Sequence, residues 1–345
     1  MDSSVAAALL KETGYEVIGA TMKLWEDEEN PCNESKCCSY SAVRDAKRVC
    51  DKLEIPHYTL NYKEEFKKYV IDNFIDCYKC AKTPNPCVEC NKYLKFGVFY
   101  EKAKELGCDY IATGHYAKVE YSEEYNRFVL KKSNADKKDQ TYFLYGIPKD
   151  VLKHVLFPLA DYENKDKIRK IALEHELPVA KKKDSQEICF IPDNNYIGFL
   201  NKNIKDKPIK GNIVLSTGEI VGTHEGITNY TIGQRKGLGV SYKEPLYVID
   251  IDVDKNEVIV GKEEELYSKE LYAKDLNWLA IDKLDREMKL EAKIRYRASA
   301  SKCIVKPVSE CRVKVEFEEP QRAITKGQSV VFYKENIVIG GGIID

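Results

Sequence analysis

The stretch Asp2–Lys23, DSSVAAALLKETGYEVIGATMK, decides how the chain folds. Residues 2–13 are small and apolar with a polar start, the pattern of a buried helix, and Gly14 supplies its stop. Glu16 to Met22 then reads as a strand. The same alternation continues outward. Ser41 to Leu53 has helical periodicity, His57 to Asn61 is a second strand, and Lys63 to Cys77 is a second amphipathic helix. Lys92 to Leu106 is another helix, closed by Gly107, and Asp109 to Thr113 is a short buried strand that runs into Gly114 and His115. Strand and helix in alternation predict an α/β domain: a Rossmann-like parallel sheet covered by helices, with ligands gathered at the carboxyl ends of the strands.

The second half changes character. After Phe199 come short strands with glycine turns: Ile213 to Leu215, Glu219 to Gly222, and a hairpin from Leu246 to Val253 and Glu257 to Gly261. Leu290 to Arg297, Arg312 to Phe317, Ser329 to Tyr333 and Ile337 to Ile344 predict a small barrel. The expected division is a catalytic α/β domain over 1–200, a small central domain over 201–270, and a C-terminal β-barrel over 271–345.

The chain has 345 residues, enough for two or three domains. Lys plus Arg is 55 against 56 Asp plus Glu, so a globally basic coat is excluded while a local basic patch is not. No apolar run approaches the roughly 20 residues that cross a bilayer. Met1-Asp2-Ser3-Ser4 lacks the basic start of a secretory signal, and twelve cysteines without one point to a reducing, cytoplasmic setting. There, thiols more often do chemistry or bind metal than form structural disulfides.

Cys77 and Cys80 are followed by Cys87 and Cys90, two Cys-x-x-Cys pairs. One reading is a four-thiolate zinc site, although zinc ribbons usually space their pairs more widely. The other is that a single thiol reacts. Thr83-Pro84-Asn85-Pro86 stiffens the loop before Cys90, and a helix is expected just after it, which favours thiolate. Cys189, between Ile188 and Phe190, reads by itself as a small buried hydrophobe. Cys32, Cys37 and Cys38 lie in a polar loop open to oxidation or metal binding. Asp2-Ser3-Ser4 at a helix start is either an ordinary cap or an anion site.

Taken in order, the motifs resemble the tRNA-specific 2-thiouridylases (the MnmA family). They are Asp2-Ser3-Ser4 with its helix, Thr21-Met22-Lys23-Leu24-Trp25, Thr83-Pro84-Asn85-Pro86-Cys87 with Cys90-Asn91, and Ala112-Thr113-Gly114-His115-Tyr116. Lys138-Asp139-Gln140-Thr141-Tyr142-Phe143-Leu144, residues 184–191, Thr231 to Gly239 and Arg295-Tyr296-Arg297 follow. The resemblance spans essentially the whole chain. It implies an ATP-pyrophosphatase type domain, a central domain and a C-terminal barrel. The implied activity is sulfur transfer to C2 of the wobble uridine, using ATP with Mg2+ and a persulfide. The implied partners are tRNA (acceptors for Lys, Glu and Gln) and a sulfur donor such as a cysteine desulfurase or a relay protein.

Residue by residue, the resemblance implies that Cys189 carries the persulfide and that Cys90 is its partner nucleophile, a disulfide forming between them. Asp2, Ser3, Met22 and Gly114 would hold ATP. Asn85, Pro86 and Cys87 would line the pocket for the target base, with His115, Lys138, Asp139, Gln140, Arg295, Tyr296 and Gln328 also on tRNA. Some family members have Asp where Cys87 stands. From Lys289 to Gln328 there are ten Lys/Arg against five Asp/Glu, and Arg295, Arg297, Arg322 and Lys326 suit phosphate contacts. The glycines around Arg235 suit either RNA backbone or a tight turn. Family members also carry a strand and a Ser-Gly-Gly-x-Asp-Ser-Ser loop around pyrophosphate. The sequence given opens with Met1 at the variable position, so a truncated start lacking Ser-Gly-Gly is expected, with ATP binding and hence activity impaired in the chain as written. A small-molecule ATP-pyrophosphatase, a zinc- or redox-binding RNA adaptor and an inactive paralogue are the alternatives.

Overall fold

The computed structural model describes residues 1–25, 40–135, 138–182, 188–191, 195–204 and 208–345. The chain divides into two compact units: residues 1–70, 87–194 and 336–338, and residues 71–86, 195–335 and 339–345.

The first unit begins with α1 (Asp2–Glu12), β1 (Gly19–Lys23), α2 (Tyr40–Lys52) and β2 (His57–Asn61). β1 and β2 run parallel in the register Gly19 to His57 through Lys23 to Asn61. Then α3 (Lys63–Phe66) leads into a π-helical turn at Lys67–Ile71. The chain returns to this unit in α5 (Pro86–Glu89, the previous helix lying in the second unit), followed by a π-helical segment (Cys90–Val98) and α6 (Phe99–Glu105). β3 (Ile111–Ala112) pairs in parallel with β6 (Val155–Leu156). Between these two, β4 (Lys118–Ser122) and β5 (Arg127–Lys131) form a hairpin and α7 spans Thr141–Leu144. Every pairing of β1, β2, β3 and β6 is parallel, as the alternation requires. They form two separate pairs among the described residues rather than the one continuous sheet expected.

One core of this unit gathers on α1. Val5, Ala6 and Ala8 pack with Val49 of α2, with Leu53 just after it, and with Ile168 and Ala172 of α8 (Lys165–Glu174). The side chain of Asn164 starts α8 by accepting from Lys167 N at 3.1 Å, which satisfies one amide of the first turn.

In the second unit, α4 (Asp72–Lys79) and α9 (Tyr196–Asn203) meet through aromatic rings, Tyr78 stacking on Tyr196 at 5.2 Å. A four-stranded sheet has the order β8 (Ile220–His224), β7 (Gly211–Leu215), β10 (Glu257–Gly261), β9 (Tyr247–Asp252), with Ile213, Val248, Val258 and Val260 in its core. The last strands are β11 (Tyr267–Trp278), β12 (Met288–Lys293), β13 (Ser301–Ser309), β14 (Arg312–Arg322), β15 (Ser329–Lys334) and β16 (Ile337–Ile344). They run 11-14-13-12-15-16, and pairing of β11 with β16 closes a six-stranded barrel. Alternation makes it: Val313, Val315 and Phe317 point inward, while Lys314 between them pairs outward with Glu270 at 2.9 Å. No helix among the described residues is long and apolar enough to cross a membrane.

Candidate functional site

The residues named from the motifs fall in three groups. The first is the start of α1. Ser4 N and Val5 N both donate to Met1 O, no side chain caps this end, and Ser3 is exposed. Asp2 Oδ2 lies 3.2 Å from Lys165 Nζ, while Asp2 Oδ1 is buried without a partner. A Cβ on Gly114 would stand 2.5 Å from Asp2 C and Ser3 N, so only glycine lets the 113–116 segment touch the start of this helix. The close approach at Gly114 is thus to the α1 backbone. Met22 is half-buried near the carboxyl end of β1, opposite Leu60. Helix-start amides, two serines and a lysine suit a polyphosphate. The unpartnered Asp2 oxygen is an acceptor that a Mg2+ shell or a ligand donor would satisfy. The residues present therefore fit ATP.

The second group is the thiols. The helix starts at Pro86, six residues before the expected Lys92, so Cys90 is inside it and Cys87 occupies its first turn. Proline suits that first position because its missing N–H would have had no helical partner. The N-terminal dipole thus acts on Cys87 more than on Cys90, a correction to the placement drawn from the sequence. Cys87 is exposed, Cys90 half-buried, Asn85 half-buried and Pro86 buried. Asn91 is buried and donates from Nδ2 to Phe143 O at 2.8 Å, which holds the π-helical segment to α7. Cys189 is half-buried. Its neighbour Phe190 is buried edge-on against Phe66 of α3 at 5.7 Å, and α3 also packs against the π-helical segment. Residues 184–187 of the Cys189 motif, Cys32, Cys37, Cys38 and Lys137 lie outside the described residues. Among the described residues no three His, Cys, Asp or Glu side chains gather as metal ligands do.

The third group surrounds His115. Its Nδ1 is 2.7 Å from Thr113 Oγ1 and its Nε2 is 3.4 Å from Lys95 Nζ, with Phe96 and Phe157 about its ring. Loss of solvent, and then the Lys95 charge, hold its pKa well below the usual histidine value. An ammonium can only donate, so Nε2 accepts and Nδ1 carries the proton toward Thr113. Lys138 is exposed. Asp139 is buried and accepts from Thr141 Oγ1 at 2.6 Å. Gln140 Oε1 accepts from Tyr116 N at 2.9 Å, and Gln140 N donates to Tyr116 O at 2.9 Å. Only Lys138 of the three reaches outward.

In the barrel, Arg295 donates from Nη2 to Arg322 O, and Lys293 lies 5.5 Å over the Tyr296 ring. Arg297 and Lys326 are exposed. Gln328 donates from Nε2 to Thr83 O at 2.8 Å and to Pro84 O at 3.3 Å. Lys95 and Lys165 were missed in the sequence. Lys165 meets Asp2 across 163 positions, which no local pattern signals. Lys95 follows Cys90 by five positions, a spacing that belongs to a π-helix and not to the period of 3.6.

Comparison with known proteins agrees with this layout. Residues 1–193 match a family described as "tRNA methyl transferase HUP domain", 197–262 match "tRNA methyl transferase PRC-barrel domain", and 268–344 match "Aminomethyltransferase beta-barrel domain". The chain is 53% identical over 345 residues to a protein of Clostridioides difficile (strain 630) named tRNA-specific 2-thiouridylase MnmA, covering 100% of this chain and 95% of that one. It is 56% identical over 347 residues to the protein of that name from Clostridium botulinum (strain Alaska E43 / Type E3), with 100% and 95% covered. The protein of that name from Clostridium perfringens (strain 13 / Type A) is 54% identical over 346 residues, with 100% and 96% covered. A match of this identity along the entire chain, on a HUP domain, a PRC-barrel domain and a closed six-stranded barrel, places the chain in the tRNA-specific 2-thiouridylase (MnmA) family.

Proposed function

We infer that this protein 2-thiolates the wobble uridine of tRNA, with ATP as co-substrate and a cysteine persulfide as the immediate sulfur source. The observation that carries the chemistry is that the segments bearing Cys90 and Cys189 both pack on α3. A small-molecule ATP-pyrophosphatase would have no use for two such thiols.

Oxide is a poor leaving group from C2, and ATP supplies the remedy by turning that oxygen into part of AMP. The start of α1, Ser3 and Lys165 are the residues that would bind and orient its phosphates, and Asp2 would accept from the Mg2+ shell or from a ligand donor. Cys189 holds the sulfane sulfur. Its terminal sulfur bonds to C2 as AMP departs, giving a C2–S–S–Cys189 linkage. The Cys90 thiolate then attacks the Cys189 sulfur. That electron pair forms a Cys90–Cys189 disulfide and releases the base as the 2-thio form, and an external dithiol reopens the disulfide. The pair must approach to Cα separations of ~5–6 Å in that step. Lys95 places positive charge beside this region, while neutral His115 offers no second cation and keeps its proton on Nδ1.

Asn85, Pro86 and Cys87 would receive a base flipped from the anticodon stack, at a cost of roughly a few kcal/mol. Arg297, Lys326 and Lys138 would meet phosphates, and Tyr296 a base face. The acceptors are tRNAs for Lys, Glu and Gln, the donor is a persulfide protein such as a cysteine desulfurase or a relay, and the reaction belongs in the cytoplasm. The division 1–200, 201–270 and 271–345 is supported by family matches that end at 193 and 262 and resume at 268.

The test is single-turnover thiolation of an unmodified tRNA transcript by Cys90→Ser and Cys189→Ser. Each is expected to lose thiolation while tRNA binding persists, and thiolation retained by either variant overturns its assignment. Mass spectrometry of tRNA nucleosides from cells lacking the protein should show loss of 2-thiouridine derivatives.

A further inference from the structure

The loop that leads into the Cys90 helix is held by the turn between β14 and β15. Thr83 N donates to Lys326 O at 2.9 Å, and Gln328 Nε2 donates back to Thr83 O at 2.8 Å and to Pro84 O at 3.3 Å. Between them Gly327 has φ +88, and a Cβ there would stand 2.8 Å from Lys82 Cβ and 2.9 Å from Thr83 N. The turn itself is fixed on the last strand. Gly327 N donates to Ile344 O at 2.9 Å, and Ile344 N donates to Gln328 O at 2.8 Å. The loop is short of donors of its own, since Pro84 and Pro86 have no N–H. Two of its carbonyls are held in return, and a carboxamide NH2, with two N–H groups, is able to hold both. Pro86, two residues after the clamped carbonyls, is the first residue of the helix that carries Cys87 and Cys90.

We propose that Gln328 is a positioning residue for sulfur transfer: it fastens Thr83 and Pro84 to the barrel turn and so sets where the Cys90 helix begins. This differs from the tRNA contact that the motif implies for Gln328, because its amide nitrogen is already engaged with the loop. The proposal rests on Cys90 being a reacting thiol.

The experiment uses the full-length protein with Gln328→Met, which keeps length and loses donation, and Gln328→Glu, which puts a carboxylate against two carbonyls. Three quantities are read: hydrogen exchange of the peptide spanning 82–90, tRNA affinity, and the single-turnover thiolation rate of persulfide-loaded enzyme. Exchange over 82–90 is expected to speed up about tenfold, the scale of one lost hydrogen bond. The thiolation rate should fall about tenfold in Gln328→Met and further in Gln328→Glu, with tRNA affinity within about twofold of the parent. Unchanged exchange overturns the clamp. Faster exchange with a normal thiolation rate overturns the positioning role. Weakened tRNA binding with a normal rate returns Gln328 to RNA contact. Should both variants fail to fold, Gly327→Ala strains the same turn from the loop side and is read in the same three ways. Failure of the Cys90 reading is distinguishable, because Cys90→Ser would then thiolate normally whatever Gln328 does.

Discussion

Lys95 Nζ lies 3.4 Å from Nε2 of His115, and the far side of the same ring is 2.7 Å from Thr113 Oγ1. A histidine beside a strand end in an RNA enzyme invites a reading as a phosphate-holding cation. The lysine and the loss of solvent both oppose that charge, so the cation at this place is Lys95 and His115 is its neutral acceptor.

The His115 ring is therefore expected to remain neutral through pH 6–8, with the proton on Nδ1, as read by NMR of its ring nitrogens. Because the folded pKa lies below the unfolded value near 6.5, the unfolded chain binds the proton first as pH falls. The contribution of His115 to stability is thus full above about pH 6.5 and declines below it. Lys95→Met removes the second cause of the shift and should raise the folded pKa, narrowing that window. An imidazole that titrates near 6.5 in the parent would contradict the arrangement.

Gly114→Ala tests the contact at the start of α1. The added methyl must displace the peptide between Asp2 and Ser3, which no rotamer change relieves. Overpacking of this kind costs about 1–3 kcal/mol. Denaturant unfolding should show that loss, and ATP affinity should fall with it because the peptide at the start of α1 moves. Lys165→Met should also weaken ATP binding about tenfold or more, through loss of the cation beside Asp2, while tRNA affinity stays near that of the parent.

Much of the fold is legible because its strands are short runs of β-prone residues set between turn residues. His57–Asn61, Glu257–Gly261 and Ile337–Ile344 are strands with the bounds read from sequence. β13 escapes the sequence reading, since Pro307 follows Cys303 and Val305 on the same face, yet those two side chains are buried in the barrel. The helix read over residues 63–77 contains a π-helical turn at Lys67–Ile71, and the one read from Lys92 starts at Pro86, as proline at a first helical position allows. At the site, the family resemblance implies that Lys138, Asp139 and Gln140 all face tRNA. Tertiary bonding turned Asp139 and Gln140 inward, and no single-sequence signal distinguishes a glutamine aimed at a backbone from one aimed at RNA.

The thiols should separate by reactivity. Burial pushes the Cys303 thiol up to about 12, and burial with the nearby Asp51 carboxylate raises Cys50. Cys80, Cys87 and Cys311 are exposed. Among the described thiols, brief alkylation at pH 8 followed by peptide mass spectrometry should modify these three first and leave Cys50 and Cys303 untouched until the protein is unfolded. Early labelling of Cys303 would mean that the barrel interior opens under native conditions.

Lys138 and Gln140 stand two positions apart and should fail in opposite ways. Lys138 is exposed, and if it meets a phosphate its replacement by Ala weakens tRNA binding uniformly across sequences and lowers the salt slope by roughly 0.7–0.9. Gln140 accepts from Tyr116 N at 2.9 Å, and its backbone returns a bond to Tyr116 O. Gln140→Ala leaves the Tyr116 amide without its acceptor beside the Gly114–His115 turn, a cost of about 1–3 kcal/mol. Its first symptom should be a lower denaturation midpoint, with affinity for tRNA falling only as the folded fraction falls. A Gln140→Ala protein of unchanged stability and reduced tRNA affinity would make Gln140 an RNA contact after all, and Tyr116 would have to find its acceptor elsewhere.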